Sequence, residues 1–395
     1  MSEPNYADLE NKNPHLDKSK PYPLEGILVV DLTPVLSGPT CTRMLADAGA
    51  RVLHVERKTG DDTRHLAPYL SDKSSEYFRI ANAGKESIAL DLKDPADHAL
   101  AEKMIAKADV VVENFRPGVM TRLGFDPDEM VKKYPKLIFA SISGFGQYGP
   151  MSKQAAYDTI VQALSGIMDA TGMPDGPATR VGTSVSDVVA GIMGYSAITT
   201  ALYAREKTGK GTTVDVSMLD ATFSLMAQDA MAVLGPHTVP HRIGNRHPYI
   251  YPFDTFECQD KPIAICCGND HLWAVLSQTL GHEEWIDDPR FKTNDLREEN
   301  WQDTKAAMES VLKNDTADHW DQILHDAGIP AGIVLNLNDT SRLDQIIARG
   351  MVKTLPDGNE VLGNPLKYGT WNSYGLQKDS PKLDENGPEI RKEFE

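Results

Sequence analysis

At 395 residues the chain is longer than one hydrophobic core comfortably serves, so two domains are expected. Its 41% hydrophobic and 25% charged residues are those of an ordinary globular protein, and no apolar run is read as reaching the roughly 18 residues a membrane span needs. The formal net charge of −17 disfavours nucleic-acid binding, and it requires any anionic ligand to meet a local cluster of cations.

The stretch 1–22 is polar and proline-bearing, without the apolar core of a signal peptide; it reads as a flexible arm, and a cytoplasmic protein is expected. From there strands and helices alternate. GILVVDLT is a β-branched run, and PTCTRMLADAGA has helical spacing with Pro39 in its first turn and Gly49 at its end. RVLHVE, SIALDL, DVVVENF and LIFASISGFG read as strands, and PADHALAEKMIAKA as a helix opened by Pro95. Such alternation predicts an α/β fold with a parallel sheet, whose ligands sit at the carboxyl ends of the strands. Beyond Tyr157 come three apolar helical stretches, YDTIVQALSGIMDATG, SDVVAGIMGYSAITTALYAREKTGKG and LDATFSLMAQDAMAVL, with the strand TTVDVSM before the last. GPHTVPHRIGNRHPYIYP is too rich in Pro, Gly and His for a regular element and reads as a loop and domain junction. The expected division is a large α/β domain over 23–225, a linker and smaller α+β domain over 226–332, and a return to the large domain over 333–395.

GFGQYG spells Gly-x-Gly-x-x-Gly, but Pro150 follows it and the first strand–helix turn, TPVLSGP, lacks the glycines. A glycine-rich turn is the better reading than a dinucleotide site. There is no phosphate-binding Gly-x-x-x-x-Gly-Lys loop and no Gly-x-Ser-x-Gly elbow. Cys41, Cys258, Cys266 and Cys267 make neither a disulfide framework nor a Cys-x-x-Cys pair, so no metal site is expected. Arg57, Lys93, Arg116 and Arg122 follow strand ends. Each alone reads as surface charge, and four in so acidic a chain point to an anion site, with phosphate the natural cargo of arginine forks.

Asp187, in RVGTSVSDVVAGIMGY, stands near a helix start among Val185, Val188, Val189, Ile192 and Met193. It is either a carboxylate favoured by the helix dipole or a desolvated nucleophile. Asp158 at the next apolar helix start poses the same choice. Gly244, Asn245, Arg246 and His247 form a loop segment that is either structural or a contact for a small anion.

In order, VVDLTPVLSGPTCTRMLADAGARVLHVER, SIALDLK, VVENFRPGVMTRLG, SISGFGQYGP, YDTIVQALSG, VGTSVSDVVAGIMG, TGKGTTVDVSMLDA and IPAGIV resemble the class III coenzyme A transferases. The resemblance runs from about Leu24 past Gly350 and implies a large Rossmann-like domain built from both chain ends, a smaller domain and an interlocked homodimer. It makes Asp187 the expected nucleophile, supported by Asp158 and Tyr157. It implies coenzyme A contacts from Val35, Arg57, Leu90, Lys93, Asn114, Phe115, Arg122 and Met218. Coenzyme A and acyl-CoA are then substrates, with no prosthetic group. The formyl-CoA:oxalate branch carries a run of glycines where this chain has GNRHPYIYPFDTF, a stretch more similar to the acetyl-CoA:oxalate branch. A short acyl-CoA donor, acetyl-CoA first, and oxalate as acceptor are therefore expected, with formyl-CoA and succinyl-CoA as alternative donors. The α-methylacyl-CoA racemases of the same superfamily carry a histidine where this chain has Tyr157, so a racemase would lack one base and ranks behind. A non-catalytic acyl-CoA-binding protein comes after it, and a dehydrogenase last.

Overall fold

The computed structural model describes residues 19–355, 358–373, 375 and 378–395, so most of the arm expected over 1–22 lies outside the described residues. Lys20, Pro21 and Tyr22 are tied to the far end of the chain: Lys20 Nζ donates to the Gly369 carbonyl, Asn372 N–H to that of Pro21, and Tyr22 Oη to that of Gly375.

Two compact units emerge. One takes in the described chain up to Met168, Arg180–Thr238 and Ser341–Glu395; the other comprises Asp169–Thr179 and Val239–Thr340.

The first unit carries β1 (Leu28–Asp31), α1 (Ser37–Asp47), β2 (Arg51–Glu56), α2 (Glu76–Asn82), β3 (Glu86–Ala89), α3 (Pro95–Lys107) and β4 (Val110–Glu113). It continues with α4 (Val119–Arg122), α5 (Pro127–Lys133), β5 (Ile138–Ser143), α6 (Asp158–Ser165), α7 (Ile167–Ala170), which runs across the division, α8 (Val185–Thr208), β6 (Thr212–Ser217), α9 (Met218–Leu225) and α10 (Ala227–Leu234). Its six strands are all parallel in the order β3-β2-β1-β4-β5-β6, the doubly wound arrangement the sequence predicts. Strands β1 to β5 are buried on both faces, which explains why they read as apolar runs, while β6 at the sheet edge is exposed over its first half. Val29, Val52, Val110 and Ile142 pack with Cys41 and Leu45 of α1 and Val189 and Ile198 of α8. On the opposite face Val30, Leu53, Val111 and Phe139 pack with Met104 and Ile105 of α3.

The helix punctuation follows local chemistry. Asp94 accepts from the amides of Ala96 and Asp97, with Pro95 in the first turn of α3, and Gly209 ends α8 in the left-handed conformation. The helix expected from Tyr157 breaks at Gly166, where φ is +90°. The helix expected before Leu234 is two, the amide of Met226 turning back to the Phe223 carbonyl. Helices α2, α4 and α5 are unread in the sequence: α2 packs against α1, while Met120 of α4 and Met130 of α5 join the core with α3; Ser75 and Asp126 cap α2 and α5.

Helix α8 corrects the reading that nothing in the chain is apolar enough for a membrane span. It is the one described helix long and apolar enough by length and composition. Packing accounts for that composition. A Cβ at Gly191 would meet the Ser37 carbonyl at 2.7 Å, and one at Gly194 would meet Cys41 Sγ at 3.1 Å, so small residues let α8 lie close against α1.

The second unit has β7 (Phe253–Glu257), β8 (Pro262–Cys266) and β9 (Ala331–Ile333) in an antiparallel sheet, with α11 (Asp270–Thr279), α12 (Asn294–Glu299), α13 (Trp301–Leu312) and α14 (Ala317–Asp326). Phe256, Ile263, Trp273, Met308, Trp320 and Leu324 form its core. The expected return from residue 333 begins later: Ile333 belongs to the small sheet, and the first unit resumes at Ser341. Helix α15 (Leu337–Ser341) ends the second unit; in the first, α16 (Asp344–Ala348) leads to an antiparallel pair, β10 (Val352–Thr354) and β11 (Glu360–Leu362), and to α17 (Gly387–Phe394), whose Ile390 and Phe394 join the core beneath α3.

Candidate active site

In a doubly wound sheet the loops leaving β1 and β4 turn to opposite faces, and a crevice opens between them at the carboxyl edge. Here a cavity of about 380 Å³ occupies that place. Its walls come from Thr33–Ser37 after β1, His54–Arg57 at the end of β2, Asn114–Pro117 after β4 and Ser143–Gly144 after β5, with Asp187 and Met218 from the first turns of α8 and α9.

Asp187 is the third residue of α8, and among the described residues its carboxylate accepts no hydrogen bond and faces no cation. Burial, then the negative charge of Asp158, pushes its carboxyl up to about 7. Asp158 does not line the cavity. It is 6% exposed and clamps the entry to α8: Oδ1 accepts the Ser186 amide at 2.9 Å and Oδ2 accepts Gln162 Nε2 at 2.7 Å. Gln162, fully buried, in turn takes the Val181 amide at 2.8 Å. Asp187 thus projects from a braced turn with its own oxygens unused. Tyr77 of α2 sits in the same field: burial first, then Asp187, Asp61 and Asp158, raises its phenol.

Of the residues named from the sequence, Val35, Arg57, Asn114, Phe115, Tyr157, Asp187 and Met218 line the cavity together. Arg116, one of the four strand-end cations, lines it as well. Arg57 is exposed and paired with Asp62 at 2.6 Å. Lys93 and Arg122 are exposed near the same edge, outside the lining. The Leu90 side chain is 2% exposed and belongs to the core with Leu32 and Val55. Gly244–His247 belong to the second unit, where Asn245 Nδ2 donates to Thr255 Oγ1 and Arg246 pairs with Glu298 and lies over Trp301. GFGQYG is a turn after β5, its Gln147 amide held by Asp215.

Asp61, Tyr77 and Gln162 were not read from the sequence. Only Asp61 left a trace there: Asp two residues before Thr is a turn-capping pattern, and its carboxylate does take the Thr63 amide. No cluster of three or more His, Cys, Asp or Glu side chains fit to hold a metal occurs among the described residues.

Residues 24–387 match CoA-transferase family III. The chain belongs to that family. Over 375 residues it is 50% identical to the acetyl-CoA:oxalate CoA-transferase of Acetobacter aceti, covering 94% of this chain and 96% of that one. It is 36% identical over 340 residues to the succinyl-CoA:glutarate CoA-transferase of Mus musculus, covering 86% and 78%. A solved CaiB/BaiF family protein from Brucella suis superposes with a TM-score of 0.87 at 36% identity, covering 95% of this chain and all of that one. This class III CoA-transferase therefore takes CoA thioesters as substrates.

Proposed function

We propose that the enzyme moves CoA from acetyl-CoA to oxalate through covalent intermediates on Asp187. The observation that carries the chemistry is a carboxylate with free oxygens, partly desolvated, on the wall of the strand-end cavity. Desolvation makes a carboxylate a stronger nucleophile once ionised. The choice of substrates rests on the 50% identity to the acetyl-CoA:oxalate enzyme.

An Asp187 oxygen attacks the thioester carbonyl, forming an acetyl-aspartyl anhydride and releasing CoA thiolate. The thiolate attacks the aspartyl carbonyl, giving an aspartyl-CoA thioester and acetate. An oxalate oxygen then attacks that thioester, forming an oxalyl-aspartyl anhydride and thiolate. Attack of the thiolate on the oxalyl carbonyl yields oxalyl-CoA and restores Asp187. Overall one thioester is consumed and one is formed, so no nucleotide hydrolysis is required. Arg57 and Arg116 at the cavity supply cations for the phosphates of CoA, with Lys93 and Arg122 further along the edge.

Succinyl-CoA as donor is the second reading, favoured by the relatives named for it. A homodimer belongs to the proposal: Leu164, Ile192, Tyr203, Phe223, Met231 and Leu234 are exposed on α6, α8, α9 and α10, apolar side chains that a second copy would cover. Free thiols at all four cysteines suit a cytoplasmic location.

The test is to incubate the enzyme with acetyl-CoA, trap with hydroxylamine and map the modified peptide by mass spectrometry. Modification at Asp187 that disappears on adding oxalate is the expected result. An unmodified Asp187 in enzyme that binds CoA would overturn the covalent route; trapping with succinyl-CoA and not acetyl-CoA would replace the donor. Sedimentation velocity tests the dimer.

A further inference from the structure

Val35 has a φ of +70°. In that region a β-branched side chain crowds its own backbone, and such a residue persists only where its surroundings over-determine it. The surroundings centre on Asp61, which is 4% exposed. Its Oδ2 accepts the Val35 amide at 3.0 Å, while Oδ1 accepts the Thr63 amide and Thr63 Oγ1, both at 2.7 Å. The Asp61 amide donates to Glu56 Oε2 at 3.0 Å. Glu56 is itself gripped by Arg64 Nε at 2.7 Å, Arg64 Nη2 at 2.6 Å and Ser87 Oγ at 2.7 Å. The carboxylate that holds Val35 is therefore fixed to the end of β2. On the other flank the turn is packed tight: a Cβ at Gly38 would lie 2.3 Å from Thr33 Cβ. Val35, Leu36 and Asp61 all line the cavity that contains Asp187.

We propose that Asp61 is a positioning residue, which holds Val35 in the left-handed conformation and so sets the shape of the cavity wall against which the acyl-CoA thioester docks. The inference rests on reading this cavity as the thioester site. A carboxylate is suited to the task because it accepts from three donors at once with no proton of its own to misdirect. Once the clamp is lost, valine relaxes toward negative φ and the wall moves. Glycine at the same position takes positive φ freely and needs no clamp.

The experiment compares Asp61→Ala, Val35→Gly and the double variant by calorimetric titration with CoA and by kcat and KM for acetyl-CoA. Asp61→Ala is expected to weaken CoA binding and raise KM by about 5- to 150-fold, the range that such backbone strain spans, with a smaller change in kcat. Val35→Gly alone loses what the valine side chain itself contributes to CoA binding, and in that background Asp61→Ala adds little further loss, because glycine holds positive φ without the clamp. Asp61→Asn, which keeps the size and turns an amide toward one of the donors, is expected to fall between the parent and Asp61→Ala and likewise to add little beside Val35→Gly; it serves if the alanine variant does not fold. Parent-like CoA affinity in Asp61→Ala, or a folded double variant in which the two losses add in full, overturns the proposal. If the parent enzyme itself fails to bind CoA, the reading of the cavity falls and takes the proposal with it.

Discussion

Two aspartates of the large unit receive opposite treatment. Asp31, at the end of β1, is fully buried and fully engaged. Its Oδ1 accepts from the Thr33 amide at 3.0 Å and Thr33 Oγ1 at 2.5 Å, and its Oδ2 meets Thr42 Oγ1 at 2.7 Å, Lys85 Nζ at 3.0 Å and His54 Nδ1 at 3.1 Å. Burial alone would push its carboxyl up; Lys85 and then His54 outweigh it and hold the group well below the usual carboxylate range. Asp187 has no such partners, and burial acts on it almost unopposed. A buried carboxylate surrounded by donors is spent on structure. One kept from them, yet braced through its neighbours, keeps its lone pairs free, as the proposed nucleophile requires.

The largest expected effect breaks this pair apart. Asp187→Ala should lower transfer activity by at least about a thousandfold, as removal of a covalent nucleophile does, and leave the melting temperature unchanged or raised. Asp31→Ala should destabilise the fold by about 3–5 kcal/mol, since it strands the Lys85 ammonium in the core. Steady-state kinetics and thermal melts on both variants give a crossed pattern. Equal destabilisation in the two would mean that Asp187 is a structural group after all.

The contrast was only half visible in the sequence. The parallel sheet was legible because its strands, buried on both faces, are β-branched runs such as LVVD and VVVE, and because Pro95 and Gly209 mark helix limits by local chemistry. Asp187 could be noticed because a lone carboxylate among valines is unusual. Its freedom from partners could not, since it depends on Asp158 turning to Ser186 across 28 positions of chain. Nor could the part of Asp61, because it rests on a valine in a conformation that valine disfavours. The split of α6 from α7 and of α9 from α10 hid behind continuous apolar spacing, and periodicity alone does not register a single turn that ends one helix and starts the next.

The two aspartates should also differ in the sign of their pH dependence. Burial pushes the Asp187 carboxyl up to about 7 in the free enzyme, so its ionised form accumulates as pH rises through that value, and kcat/KM for the acyl-CoA should climb and then level off. Its raised pKa means that the folded protein holds the proton more tightly than the unfolded chain. Its contribution to stability therefore falls as pH rises from about 4 to about 7. Asp31 runs the other way: its depressed pKa gives stability above the ordinary carboxylate range that is lost as pH falls through it. Urea titrations at a series of pH values should show one slope removed in Asp187→Asn. A rate profile flat across neutrality would mean that Asp187 is already ionised and that its environment is wetter than its burial implies.

The smallest effect separates the two causes acting on Asp187. Burial is the larger and the charge of Asp158 the smaller, so Asp158→Asn should move the midpoint of the rate profile toward acid by only part of the way to an ordinary carboxylate. The substitution keeps an acceptor for the Ser186 amide, and it sets an amide group against Gln162 Nε2. Gln162 can answer by flipping, but its oxygen then leaves the Val181 amide. About 1 kcal/mol of stability should go with that lost hydrogen bond. A shifted midpoint with a modest loss of stability gives Asp158 two roles, as the brace of α8 and as the charge that keeps its neighbour protonated near neutrality. A midpoint that stays put leaves it the brace alone, and burial would then account for the whole of the difference between Asp187 and Asp31 that their partners do not.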